Sequence, residues 1–152
     1  PLAEEMEVPL AIEPMHPACA TAWTFLTDLK DVHLLLEEYS NPHLKLAYDT
    51  YHFPFDSRHR KFLTELAPHI GIVHLCDRRV PPNAELERCQ LGCGRIPLFD
   101  IVSTLQEAGY TGAFDVKLIG QEIESCDYWR LLDHSQQAFA ELVNPIATRS
   151  FA

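Results

Sequence analysis

The sequence lacks any apolar run close to the ~20 residues that a membrane-spanning helix needs. It also lacks the basic start of a secretory signal, because residues 1–14 (PLAEEMEVPLAIEP) carry acidic side chains there. We therefore expect a cytoplasmic protein.

Basic residues are scarce. The chain has 12 Lys and Arg against 22 Asp and Glu, which gives a formal net charge of −10. Nucleic acids are bound through clustered Lys and Arg, so this charge argues against a nucleic-acid partner. The basic run at 58–61 is better explained as the solvated start of a helix.

Paired cysteines are also missing. The five cysteines are an odd number, and the Cys89–Cys93 spacing has no second pair that would complete a structural zinc motif. Reduced thiols are the better interpretation.

The chain does contain four apolar, strand-like segments, each followed by a helical pattern. The strands are expected at about 8–14, 43–50, 70–77 and 113–120, and the helices at about 28–39, 57–68, 97–108 and 127–143. This alternation predicts an α/β fold with parallel strands and right-handed crossovers. Four such units fit half of an eight-stranded barrel or a small open sheet, which we take as one domain over residues 1–152.

A half barrel would leave two sheet edges open, and open edges invite pairing with another chain. We expect either that the chain is a piece of a longer protein with a missing N-terminal half barrel or that it forms a homodimer. The first alternative is favoured.

Strand parity predicts a cluster of polar side chains. Alternate residues of a strand face opposite sides, and the apolar face should meet the helices. The other face then brings Glu13, Asp49, His74 and Lys117 together at the carboxyl end of the strands, where barrel enzymes have their active sites. Two carboxylates and one imidazole suit Mn²⁺, Zn²⁺, Co²⁺ or Mg²⁺. Taken singly, each has a simpler explanation as a cap or a core residue.

Several segments resemble the xylose isomerase-like TIM-barrel superfamily, and within it the sugar phosphate isomerases and epimerases. They are LAIEPMHP, YDTYHF, IVHLCD, the stretch from Arg88 to Gly94, and AGYTGAFDVKL. The resemblance implies the last four βα units of a (β/α)₈ barrel. It also implies a metal-dependent isomerase or epimerase that acts on a small ketose or polyol by proton transfer beside a carbonyl.

The resemblance further implies roles for matching positions. Glu13 would be a metal ligand and an acid/base residue, and Asp49 and His74 would be metal ligands. His52, Arg88 and His16 would contact the substrate or shape its pocket, and Asp77 would lie at the same opening. A DNA-repair endonuclease of the endonuclease IV type shares this barrel, but the net charge of −10 disfavours it.

Lys117 departs from the family pattern, which has a glutamate there as fourth ligand and second base. Its ammonium could replace the metal and pair with Glu13 and Asp49, or a neutral Lys117 could act as a base. Alternatively, a three-ligand site could persist with Glu122 or Glu124 swinging in. The first of these predicts a different function: a catalytically degenerate barrel that binds a sugar or a protein partner.

Overall fold

The computed structural model describes residues 2–83 and 87–144. Helices and strands alternate along it, with short 3₁₀ turns at Pro17–Cys19 and Ala67–His69. In chain order the elements are α1 (Leu2–Glu5), β1 (Leu10–Ile12), α2 (Leu29–Tyr39), β2 (Leu44–Asp49), α3 (Ser57–Leu66), β3 (Ile70–Leu75), α4 (Leu98–Glu107), β4 (Ala113–Val116), α5 (Gln121–Glu124) and α6 (Tyr128–Val143).

The strands form one sheet in the order β1-β2-β3-β4, and all neighbours are parallel. The predicted α/β fold with parallel strands is therefore confirmed. The register places Asp49 beside His74, and His74 beside Asp115.

The strands are shorter than the sequence pattern suggested, most clearly at the carboxyl end of β4. The Lys117 backbone N–H still donates to Leu75, but the Ile119 carbonyl accepts from the backbone N–H of Arg88 in the long loop. The chain thus leaves the sheet because its next backbone partner lies in that loop.

The core lies between one face of the sheet and the helices. Leu46 and Tyr48 of β2 and Val73 and Leu75 of β3 are fully buried there, against α2, α3 and α4 residues. Burial of each such side chain contributes about 1.5–3 kcal/mol. The predicted parity is confirmed, since the intervening polar residues point to the other face.

The helix boundaries have local causes. Asp28 caps the start of α2 and Asp127 caps the start of α6, each accepting a hydrogen bond from a first-turn backbone N–H. Gly109, at φ 84°, follows α4 in the left-handed conformation that ends many helices. Among the helices described, none is both long and apolar enough to cross a membrane.

Candidate active site at the carboxyl end of the sheet

Four polar side chains converge where the strands end, as parity predicted. Glu13 follows β1, Asp49 ends β2, His74 lies near the end of β3, and Lys117 follows β4. The Lys117 ammonium is 2.5 Å from Glu13 Oε1 and 3.2 Å from Asp49 Oδ2. A built-in cation therefore joins the two carboxylates.

Asp49 is also held by Arg88, in a bidentate pair with N–O distances of 2.9 and 3.0 Å between side chains that are both 0% exposed. Burial acts to raise the pKa of Asp49, but the hydrogen bonds and charge of Arg88, with help from His52 and Lys117, lower it to about 2. Asp49 is therefore a fixed anion near neutral pH. The substrate contact expected of Arg88 stays a prediction, and the observed contacts make it a residue that positions Asp49.

His74 is oriented by Asp115. Its Nδ1 lies 2.9 Å from Asp115 Oδ2, and its Nε2 lies 3.8 Å from Glu13 Oε2. A carboxylate on one ring nitrogen fixes the ring and its tautomer, which leaves the other nitrogen for a ligand. Parity alone does not identify Asp115 as the partner of His74, because that pairing depends on the strand register.

His52 lies in the Asp49-to-His52 turn after β2 and is almost fully buried. Its Nε2 is 3.9 Å from Glu13 Oε1, and neither ring nitrogen makes a hydrogen bond with the residues that the structure describes. Burial lowers the pKa of His52 to about 4, and Arg88 and Lys117 add to this while Asp49 opposes it. The ring is therefore neutral near pH 7 and can accept a hydrogen bond or bind a metal.

Glu13, Asp49 and His52 offer ligand atoms that all lie within 4.8 Å of one another. His74, the third ligand expected from the sequence, lies outside this group, although it reaches the other oxygen of Glu13. The donor types and the unpaired nitrogens of His52 fit a divalent ion. An ion between the carboxylates would have to displace the Lys117 ammonium, whose side chain is 23% exposed.

His16 is half-buried, and its Nδ1 accepts a hydrogen bond from the Ala18 backbone N–H. Together with His52 and Phe53 it lines a cavity of about 390 Å³, which Lys30 and Arg58 also border. The two carboxylates and Lys117 do not line this cavity, so it is a space beside the centre.

Asp77 organises the loop that follows β3. Its carboxylate accepts hydrogen bonds from the backbone N–H groups of Arg78, Gly94 and Ile96. A Cβ at position 94 would lie 2.1 Å from Asp77 Oδ1, so only glycine allows this approach. Asp77 is almost fully buried and has a structural role that the motif alone did not reveal, and its place at the opening of the site stays a prediction.

Cys76 lies behind the centre. It is fully buried, and its sulfur is 2.9 Å from Arg88 Nη1. Burial raises the pKa of its thiol to about 12, so it is protonated and inert at neutral pH. All five cysteines are free.

Comparison with known proteins decides the family. The sequence matches the xylose isomerase-like TIM barrel family over residues 1–140. The chain belongs to this family. No curated protein matches it closely enough to count as a relative.

Solved structures also resemble the chain. Protein SMc04130 from Sinorhizobium meliloti 1021 is 26% identical, with a TM-score of 0.82 over 92% of this chain and 52% of that one. The IolI protein, solved with a zinc atom, is 21% identical, with a TM-score of 0.79 over 95% and 52%. An L-ribulose 3-epimerase is 18% identical, with a TM-score of 0.74 over 97% and 51%.

The chain spans about half the length of these structures. The likeness to the IolI protein and to the epimerase shows the fold alone.

Proposed function

We propose that the chain is part of a metal-dependent sugar isomerase or epimerase that acts on a small ketose or polyol by proton transfer beside a carbonyl. The observation that supports this most is the meeting of Glu13, Asp49, His52, His74 and Lys117 at one end of the sheet. Family membership and the epimerases among similar structures agree with it.

We assign Glu13 as the base that removes the proton from the carbon next to the carbonyl. Its side chain is 25% exposed, so a substrate can reach it, whereas Asp49 is 0% exposed and paired with Arg88. A carboxylate beside the carbon next to a carbonyl can remove its proton, and such positioned bases contribute about 10²–10⁴-fold. His52 and His16 would bind substrate hydroxyls.

Lys117 would stabilise the oxyanion that develops as the proton leaves only while no ion lies between the carboxylates, since a bound ion would displace it. Its ammonium lies 2.5 Å from Glu13 Oε1, so it would be adjacent to the reacting carbon. Fixed charges aimed at a developing oxyanion are among the largest contributions to catalysis.

A divalent ion, of Mn, Zn, Co or Mg, would be held by Glu13, Asp49 and His52, with His74 next to them. Such an ion polarises a carbonyl oxygen when bound. Lys117 is its competitor, since both would neutralise the same two carboxylates.

That competition favours a second candidate: a barrel that binds a sugar or partner without turning it over. The contacts of Lys117 with Glu13 and Asp49 are the observation that supports this alternative. It requires that the ammonium fill the metal position permanently.

Deuterium exchange tests the chemistry without knowledge of the natural sugar. The protein is incubated in D₂O with a panel of small ketoses, with and without each of the four ions, and the carbon next to the carbonyl is followed by NMR. We expect exchange to fall at least about 100-fold in Glu13→Gln. Glu65→Gln, at an exposed carboxylate on α3, is the control and should match the wild type.

Metal uptake separates the two candidates. Lys117→Glu should bind Mn²⁺ or Zn²⁺ more tightly than the wild type, and Lys117→Met should fall between them. If no ketose exchanges with any ion while sugars still bind, the enzyme proposal is wrong and the binding alternative stands.

A further inference from the structure

A second group of metal-type donors lies at the opposite end of the sheet. His33 and Glu37 are one helical turn apart on α2, and His69 directly precedes β3. His69 lies just before β3, and His74 is the last residue but one of the same strand. At about 3.3 Å per residue, five residues separate the two groups by roughly 16 Å.

The three side chains are already close. His69 Nε2 lies 3.0 Å from Glu37 Oε1, and the His33 and His69 rings meet edge-on with centroids 5.5 Å apart. Each of the three offers a ligand atom within 4.8 Å of the other two. The ring of Phe62 packs edge-on against His33 at 5.7 Å and forms an apolar wall.

A simple ion pair between His69 and Glu37 does not explain His33. Its Nδ1 is buried and has no hydrogen-bond partner among the residues that the structure describes. An unpaired buried polar atom lowers the stability of the fold by about 1–3 kcal/mol. A surface contact of the His33 ring does not account for this cost, whereas a ligand bound to the ring nitrogen does.

The donor set matches a transition metal. Two imidazoles and a carboxylate are zinc ligands, and a tetrahedral site with bonds of about 2.0–2.1 Å places its ligand atoms about 3.3 Å apart. Two ligands four residues apart on a helix share one face, as in known helical zinc sites. Small side-chain shifts would close the present distances to that value.

We propose that His33, Glu37 and His69 bind a transition-metal ion, Zn²⁺ in the first place, independently of the carboxyl-end site. The Glu37 side chain is 59% exposed, so the ion keeps water in its remaining position. It links the middle of α2 to the start of β3 and stabilises the folded chain in proportion to its occupancy.

Zinc titration of the metal-stripped protein tests this, read out by calorimetry and by the melting temperature. We expect one equivalent to bind through this group and to raise the melting temperature. Glu37→Gln and His69→Gln should each weaken that equivalent at least about tenfold. Glu38→Gln, at the next exposed carboxylate of α2, should leave it unchanged.

Glu13→Gln shows which end of the sheet holds the ion. If zinc binding survives in Glu13→Gln and weakens in Glu37→Gln, the proposal holds. It is overturned if binding is lost in Glu13→Gln alone, if Glu38→Gln weakens it as much as Glu37→Gln, or if the wild type binds no zinc at millimolar concentration. Circular dichroism confirms that each variant is folded.

Discussion

The two ends of the sheet gather similar donors but differ in what already neutralises them. At the carboxyl end, Lys117 and Arg88 compensate Glu13 and Asp49 with the protein's own cations. At the amino end, Glu37 faces two imidazoles. Donor atoms that lie close together are therefore not sufficient for a metal site, because a cationic side chain already paired with them changes which ion they accept.

The largest effect is expected from the buried pair at the carboxyl end. Arg88→Met should reduce the free energy of unfolding by about 3–5 kcal/mol, because it leaves the buried Asp49 carboxylate without its bidentate partner. Urea unfolding gives the value. Arg79→Met removes the corresponding exposed pair with Glu122 and should cost far less, because solvent screens an exposed pair.

A double variant keeps this test informative if Arg88→Met barely folds. Asp49→Leu with Arg88→Met removes both charges and should recover most of the loss. The buried-pair explanation fails if Arg88→Met costs no more than Arg79→Met, or if the double variant is no more stable than the single.

Acid should lower the free energy of unfolding through His59, which packs beside the carboxyl end of β2. Burial lowers the pKa of His59, whose Nε2 lies 3.3 Å from the Tyr48 hydroxyl and whose ring stacks on Phe53. As the pH falls, His59 is therefore protonated in the unfolded state before it is protonated in the folded state. Its contribution to the free energy of unfolding is intact above pH 6.5 and is lost as the pH falls below that value.

The measurement is unfolding free energy from pH 8 to pH 5 in the wild type and in His59→Gln. We expect a smaller decrease in the variant. Since the pKa of His52 is shifted in the same direction, only the difference between the two proteins is assigned to His59. Parallel curves would contradict the assignment.

The smallest effect is expected at the helix that carries the amino-end donors. Asp28→Ala removes the side chain that caps α2 and should cost about 1 kcal/mol. Zinc affinity should change little, because His33 and Glu37 lie beyond the first turn. A stability loss accompanied by lost zinc binding would show that the amino-end group depends on helix fraying and is not preformed.

The sequence predicted the carboxyl end well because that end obeys simple parity. A period of two along β2 sufficed to place Asp49 at the carboxyl end of the strands, and Asp49 is the last residue of β2. The Asp49–Arg88 pair was missed because Arg88 lies in a loop, whose path periodicity does not determine.

The amino-end group was missed for a different reason. His33 and His69 belong to a helix and to a turn that meet only through tertiary packing. The sequence alone therefore does not bring the two histidines together. Only the spacing of His33 and Glu37 carried a signal, and one such pair is common on helix surfaces.

Asp77 has a practical consequence for protein engineering. One carboxylate gathers three backbone N–H groups from residues 78, 94 and 96, and glycine at position 94 admits it. A transplant of this loop onto another barrel must therefore carry its acceptor and its glycine together. If the aspartate or the glycine is missing, the recipient barrel has the sequence of the loop but not its conformation.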